Sequence, residues 1–148
     1  MQTSIQLLDS YSLVEKQAIH PIDLVARAGL RSASHLLISE LIQSSQSIVK
    51  LRLLACFRNN LHLDTPEVLG AMRAESYSPA SLIDLLRLVD QKVLLPRCTT
   101  LVALGTVFFA DSGCPFAACL NRDRGELDCC PMNVTWGIGT VFLGARDH

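Results

Sequence analysis

No Cys-x-x-Cys pair occurs in this chain although it holds six cysteines, which excludes the usual pair of zinc knuckles. His-Glu-x-x-His is missing as well, and the four histidines, His20, His35, His62 and His148, are scattered through different segments. Glycine builds no phosphate loop, because Gly137-Ile138-Gly139 leads into strand-forming residues and not into a helix. The longest uncharged apolar stretch, Leu101 to Ala110, falls far short of the ~20 residues a membrane span needs, so a soluble protein is expected. An excess of one charge is lacking too. Nine basic residues stand against nine acidic ones up to Leu95, and four against five beyond it, for a net charge of −1. That balance advertises no nucleic-acid surface. The opening residues Met1-Gln2-Thr3-Ser4-Ile5 have no basic segment leading into an apolar one, so a secretory signal is absent unless already removed. The cytoplasm is the expected compartment, where cysteines are thiols or metal ligands.

What is present divides near Pro96. The 148 residues, 49% of them hydrophobic, are the length of one domain, and roughly 70% of the unfolded surface can be buried at that size without staples. Before Pro96, apolar residues recur at helical spacing among Leu, Ala and Ser; after it come Gly, Cys, Val and Phe, the composition of short strands and turns. The expected fold is α+β and mainly α: a bundle of about five or six helices over residues 1–95, followed by a small Cys-rich β-hairpin or sheet over 96–148 packed on it as one unit.

The helices are placed as follows. A first covers about Ser4 to Ala18. Pro21 opens a second, which Gly29 ends in the left-handed conformation. Ser32 or Ser34 caps a third with Leu36, Leu37, Leu41 and Ile42 facing the core, and Ile48, Val49, Leu51, Leu53 and Leu54 imply a fourth. Asp64-Thr65-Pro66-Glu67 and Ser78-Pro79 each set a capping oxygen before a proline, predicting helices over about Pro66 to Glu75 and Pro79 to Lys92. In the last of these, Leu82, Ile83, Leu85, Leu86, Leu88 and Val89 cover almost the whole girdle. A helix apolar on most sides must be covered on most sides, which predicts self-association or a protein partner.

The last third holds a near-repeat, Leu104-Gly105-Thr106-Val107-Phe108-Phe109 and Ile138-Gly139-Thr140-Val141-Phe142-Leu143, which reads as two paired strands or as chance likeness within a restricted composition. Between them lie Cys114-Pro115, the charged loop Asn121-Arg122-Asp123-Arg124-Gly125-Glu126, and Cys130-Pro131. Five cysteines, Cys98, Cys114, Cys119, Cys129 and Cys130, crowd this third, with only Cys56 ahead of them. A structural zinc ion wants four thiolate or imidazole ligands, and Cys98, Cys114, Cys119 and one of Cys129 or Cys130 are the candidate set, with His148 in reserve. Vicinal cysteines rarely serve one ion together, because their side chains diverge on extended backbone. Three other roles stay open: small buried hydrophobes, disulfides (with the sequon Asn133-Val134-Thr135 as the one sign of an oxidising compartment), and thiol catalysis or redox work by Cys114 and Cys119 or by Cys129 and Cys130. For the last, only Arg122 and Arg124 supply positive charge, offset by Asp123, Glu126 and Asp128.

The segment Val25-Ala26-Arg27-Ala28-Gly29-Leu30-Arg31-Ser32-Ala33-Ser34 has the small residues and turn glycine of a helix-turn-helix, although His35 falls where such motifs bury an aliphatic side chain. Any helix-glycine-helix connection in a bundle looks similar, and ordinary core packing is the preferred reading. Residues 20 to 60, through Arg27-x-Gly29-Leu30, Gln46-x-Ile48-Val49-Lys50-Leu51 and Cys56-Phe57-Arg58, resemble the FlhD subunit of flagellar master transcription activators. Leu82-Ile83-x-Leu85-Leu86 followed by Leu94-Leu95 and cysteines is similar in outline to its partner FlhC, whose paired Cys-x-x-Cys motifs and basic extension are missing here. The resemblance implies an all-helical oligomerising module in a transcription complex, touching nucleic acid only through that complex. The function expected is therefore a non-enzymatic regulatory or partner-binding protein, with a structural zinc site in the tail as one candidate role of the cysteines; the alternative is a thiol-based enzyme or redox protein.

Overall fold

Uninterrupted apolar runs such as Leu53-Leu54-Ala55-Cys56-Phe57 fit either a buried helix or a strand covered on both faces, and sequence periodicity does not separate the two. In the computed structural model, which describes residues 4–13, 20–43, 52–91, 95 and 100–147, these runs are strands. Strands hold 45% of the described residues and helices 28%, which overturns the expected helical bundle.

The chain order is β1 (Ile5–Leu13), α1 (Pro21–Arg27), β2 (Ser32–Ala33), α2 (His35–Gln43), β3 (Arg52–Asn59), β4 (Leu63–Asp64), α3 (Thr65–Ala74), β5 (Ser78–Pro79), α4 (Leu82–Asp90), β6 (Thr100–Phe109), β7 (Pro115–Asn121), β8 (Glu126–Pro131), β9 (Thr135–Trp136) and β10 (Val141–Asp147). Eight strands form one mixed sheet, β1-β3-β10-β6-β7-β8-β2, with β5 also paired to β10; β4 and β9 form a separate ladder. The β10–β6 and β2–β8 pairs are parallel and the others antiparallel. Both sides of Pro96 thus contribute to one sheet, since β10 lies between β3 and β6.

Each face of the sheet carries its own apolar cluster. Leu54, Cys56, Leu101, Ala103, Val141, Leu143 and Ala145 point to the first, where Leu24 of α1, Leu37 and Leu41 of α2, and Leu82, Leu85, Leu86 and Leu88 of α4 cover them. Ala55, Phe57, Val102, Leu104 and Phe142 point to the second, under Val68 and Met72 of α3 and Trp136 of β9. Edge-to-face ring pairs, Trp136 with Phe142 at 5.3 Å and Phe57 with Tyr77 at 5.2 Å, anchor that second layer. Because β3, β6 and β10 are buried on both faces, their sequences lose the polar alternation that marks a half-exposed strand.

The expected first and fourth helices are therefore corrected to β1 and, within the described residues, β3. Their pairing runs from Ile5 opposite Asn59 to Leu13 opposite Arg52, with a bulge between Leu7 and Asp9. Segment 20 to 60 likewise contains β2 and β3 along with α1 and α2, unlike the all-helical module its resemblance implies.

At the starts of α1 and α3, set by local hydrogen bonding, expectation and structure agree. His20 Nδ1 accepts from Ile22 N at 3.2 Å ahead of Pro21, and Gly29 takes φ +69° after the end of α1. Asp64 and Glu67 form a reciprocal capping box on α3. Helix α4 starts later than expected, on a box formed by Ser81 and Asp84, because Ser78 and Pro79 pair with Ala145 and Gly144 as β5. Its apolar girdle is covered within the chain: five of its leucine and arginine side chains, Leu82, Leu85, Leu86, Arg87 and Leu88, are buried, along with Asp84. Arg52 Nε lies 3.0 Å from Asp84 Oδ1, off the axis of a hydrogen bond, and Arg52 Nη1 donates to Asp147 Oδ1 at 3.0 Å. The sheet end and the start of α4 are thereby held together.

The repeated Gly-Thr-Val-Phe segments do reach neighbouring strands, but out of step. Val141 lies opposite Leu101, not Val107, and the two strands run parallel. Gly105 is needed for close approach: a β-carbon there would stand 2.5 Å from Pro79 O and 2.6 Å from Ala80 O. Its N–H donates to Ala80 O at 2.7 Å, and Thr106 Oγ1 accepts from Leu82 N at 3.0 Å at the start of α4. Two glycine substitutions should consequently diverge. Gly70→Ala, within α3 and with no atom near the added methyl, should raise stability by about 1 kcal/mol; Gly105→Ala should lower it by about 1–3 kcal/mol through forced backbone movement. Urea melts of both variants measure the difference.

Candidate functional site

The cysteines take their positions from the β6–β7–β8 meander. Ala117 pairs with Cys130, Ala118 with Cys129, and Cys119 with Asp128. Alternation along each strand then sends Cys119 and Cys130 to one face and Cys129 to the other. Cys129 lies against the first cluster with its Sγ 3.8 Å from Ser34 Oγ, whereas Cys119 and Cys130 lie at the margin of the second. The divergence expected of vicinal cysteines is thus realised by the strand itself. Cys114 sits in the β6–β7 connection, where its carbonyl accepts from Ala110 N at 3.0 Å. Cys56 is fully buried in β3, and Cys98 and His148 lie outside the described residues.

Of the expected zinc set, Cys98 and the reserve ligand His148 lie outside the described residues, and Cys129 and Cys130 point to opposite faces. Among the described residues no three His, Cys, Asp or Glu side chains converge on a possible ion. Asp128, directly across from Cys119, turns its carboxylate back to accept from Cys129 N at 2.8 Å. The five described cysteines are free thiols.

Instead, the hairpin brings together a pair that the sequence reading did not join. Cys119 and Cys130 are diagonal neighbours on one face, and Cys130 Sγ donates to Ala117 O at 3.7 Å. Interaction with the Cys130 thiol holds Cys119 below the ordinary thiol value, against burial and the Asp128 carboxylate. Cys130 is pushed up for the complementary reason, first by Cys119 and then by burial, with Cys129 and Asp128 adding to it. Burial also raises Cys129, with Ser34 opposing. The two neighbouring thiols are thus shifted in opposite directions. A register count from the Asn121–Gly125 turn, where Arg124 N donates to Asn121 Oδ1 at 3.2 Å, was the sequence signal that could have found this pair.

The surroundings leave the pair half-buried. The second layer reaches the hairpin at Met132, whose carbonyl accepts from Thr65 Oγ1 at 2.5 Å, while Trp136 Nε1 donates to the same hydroxyl at 2.9 Å. Val107 opposite Ala117 and Phe109 opposite Pro115 share the face of Cys119 and Cys130, and Phe109 is 68% exposed. On the far side, β2 pairs with Glu126 and Leu127 of β8, and Arg31 N and Ser34 N donate to Gly125 O and Leu127 O. The α1–α2 connection, whose sequence was weighed as a helix-turn-helix against ordinary packing, is therefore strapped to the cysteine hairpin. Its second helix carries Glu40 and no Lys or Arg. The charged loop forms the hairpin tip, and Arg122 there is half-buried and donates from Nη1 to Leu95 O at 3.1 Å.

The fold and site together define a protein built on a two-faced mixed sheet with a paired thiol on one hairpin. Comparisons with protein-family models, curated proteins and solved structures find no match. None of the described helices is long and apolar enough to cross a membrane.

The opposite shifts of the two thiols have a kinetic signature. Alkylation tracks the thiolate, so Cys119 should reach half its maximal rate at a pH below that of an unperturbed thiol, and Cys130 well above it. In Cys130→Ser the remaining hydroxyl is a poorer partner, and the Cys119 midpoint should move upward. Peptide-resolved iodoacetamide kinetics across pH measures both.

Proposed function

We propose that this is a thiol-based redox-responsive protein whose working group is the Cys119–Cys130 pair. The observation that carries this reading is the placement of two half-buried thiols as diagonal neighbours on one face of adjacent strands, with opposite shifts in acidity beside it. Such a pair has an oxidisable sulfur and a resolving sulfur side by side. The partner-binding reading loses its main sequence argument, since the girdle of α4 is covered inside the chain.

The chemistry balances with a hydroperoxide as oxidant. Cys119 thiolate attacks one peroxide oxygen; an S–O bond forms, the O–O bond breaks, and the departing oxygen takes a proton. Cys130 sulfur then attacks Cys119 sulfur, an S–S bond forms, and water leaves with the thiol proton. Two electrons pass from the two thiols to the peroxide.

Diagonal neighbours in an antiparallel pair stand about 7–8 Å apart at Cα, beyond the ~6.8 Å a relaxed disulfide spans. Closing the bond must pull the strands, and a strained disulfide is readily reduced, which suits a switch better than a staple. Strand β2 and the α1–α2 connection, hydrogen-bonded to β8, would receive the movement.

Metal-free protein treated with stoichiometric hydrogen peroxide should lose two hydrogens by intact mass, link the Cys119 and Cys130 peptides, and recover with dithiothreitol. Cys130→Ser should stop at a sulfenic acid on Cys119 that dimedone traps. Linkage mapped to other cysteines, or a pair inert to peroxide, would exclude the proposal.

A further inference from the structure

We infer that a cleft between the ends of α1 and α4 and the β7–β8 turn binds a small apolar monocarboxylate of about six to eight carbons. The cleft lies on the opposite face of the sheet from the thiol pair, since Leu120 belongs to the first cluster and Cys119 to the margin of the second, and it does not depend on the redox reading.

Three elements end at this place and leave a gap. Helix α1 stops after Arg27, and the chain continues through Ala28 and Gly29, which have little or no side chain; a β-carbon on Gly29 would meet no atom within 4 Å. Helix α4 contributes Val89 from its last turn. Strand β7 contributes Leu120, which is buried just ahead of the Asn121–Gly125 turn, and Arg31 N holds that turn in place by donating to Gly125 O at 2.7 Å. Leu30 and Leu95, both half-buried against the first cluster, complete the apolar walls. A volume of about 230 Å³ remains between them.

Size and charge then select the ligand. A cavity of roughly 150 Å³ lined by apolar side chains holds benzene, so this cleft has space for such a ring, or a branched chain of like size, with one polar group attached. Arg122 decides what that group is. Its Nη1 donates to Leu95 O at 3.1 Å, which sets the guanidinium beside a wall residue, and among the described residues lining the cleft it alone is charged. A guanidinium among apolar side chains favours a carboxylate, which it can meet with two parallel N–H bonds, over a neutral group. The rim has the same sign: a β-carbon on Gly125 would lie 3.6 Å from Arg31 Cγ, so a second arginine stem runs beside the turn. Of the nearby carboxylates, Asp90 is engaged by Arg27 at 2.7 Å and Asp123 is exposed. The apolar part of the acid would displace water from Leu30, Val89, Leu95 and Leu120, which gives the site a gain that inorganic anions cannot match.

The test uses the full chain, reduced, with phenylacetate as the probe and phenylacetamide as its neutral counterpart. Phenylacetate should bind once per chain with a dissociation constant of roughly 10 μM to 1 mM by calorimetry, and the amide shifts it causes should centre on Gly29, Leu30, Leu120 and Gly125. Phenylacetamide should bind at least about 10-fold more weakly. Arg122→Gln should weaken phenylacetate by about the same factor and leave phenylacetamide unchanged, which tells a lost charge from a damaged fold. Ala28→Leu, on backbone of φ −68° and ψ −15° that leucine adopts readily, should fill the cleft and abolish binding of both compounds. No saturable binding, shifts centred elsewhere, equal affinity for acid and amide, or undiminished phenylacetate affinity in folded Arg122→Gln would overturn the inference.

Discussion

The structure depends on double coverage of strand β10. Its side chains alternate between two apolar clusters, Val141, Leu143 and Ala145 on one face and Phe142 on the other, while its edges pair with β3 and with β5 and β6. Gly144 belongs to this constraint, since a β-carbon there would stand 2.9 Å from the Phe57 ring. A strand so enclosed joins the first and last thirds of the chain into one sheet. It also requires a helix layer on each face, which is where α4 finds the cover its apolar girdle needs.

The hairpin that carries the cysteines lies away from this enclosed centre. Helices α1, α2 and α4 cover its first face, and Cys129 is absorbed there as an ordinary half-buried side chain. On its second face the covering layer of α3 and β9 reaches Met132, leaving Cys119 and Cys130 at a margin. Half-burial leaves the pair within reach of reagents, and their proximity shifts the two thiols in opposite directions. The fold thereby makes Cys119 and Cys130 chemically distinct.

Legibility in the sequence followed the range of the interactions. The start of α3 at Asp64-Thr65-Pro66-Glu67 was readable because a capping box joins residues three apart. Pro21 and Gly29 bracketed α1 for similar local reasons. Ser78-Pro79 misled, because the same two residues also suit a short strand pairing with β10. The first and fourth helices failed more deeply: Ile5 to Leu13 and Arg52 to Asn59 become strands by pairing with each other between partners 39 to 54 positions apart. Of the candidate site, the crowding of cysteines and the divergence of Cys129 from Cys130 were visible, while the partner of Cys119 was not.

By itself, then, the sequence determined the starts of α1 and α3, the turn between β7 and β8, and the opposed directions of two vicinal cysteines, all set by backbone geometry over a few residues. Tertiary structure decided whether apolar runs became helix or strand and which faces were covered. The physical reason is that a strand completes its hydrogen bonds only with a partner. Leu54 finds Ala145 and Tyr11 through pairings that no local window contains.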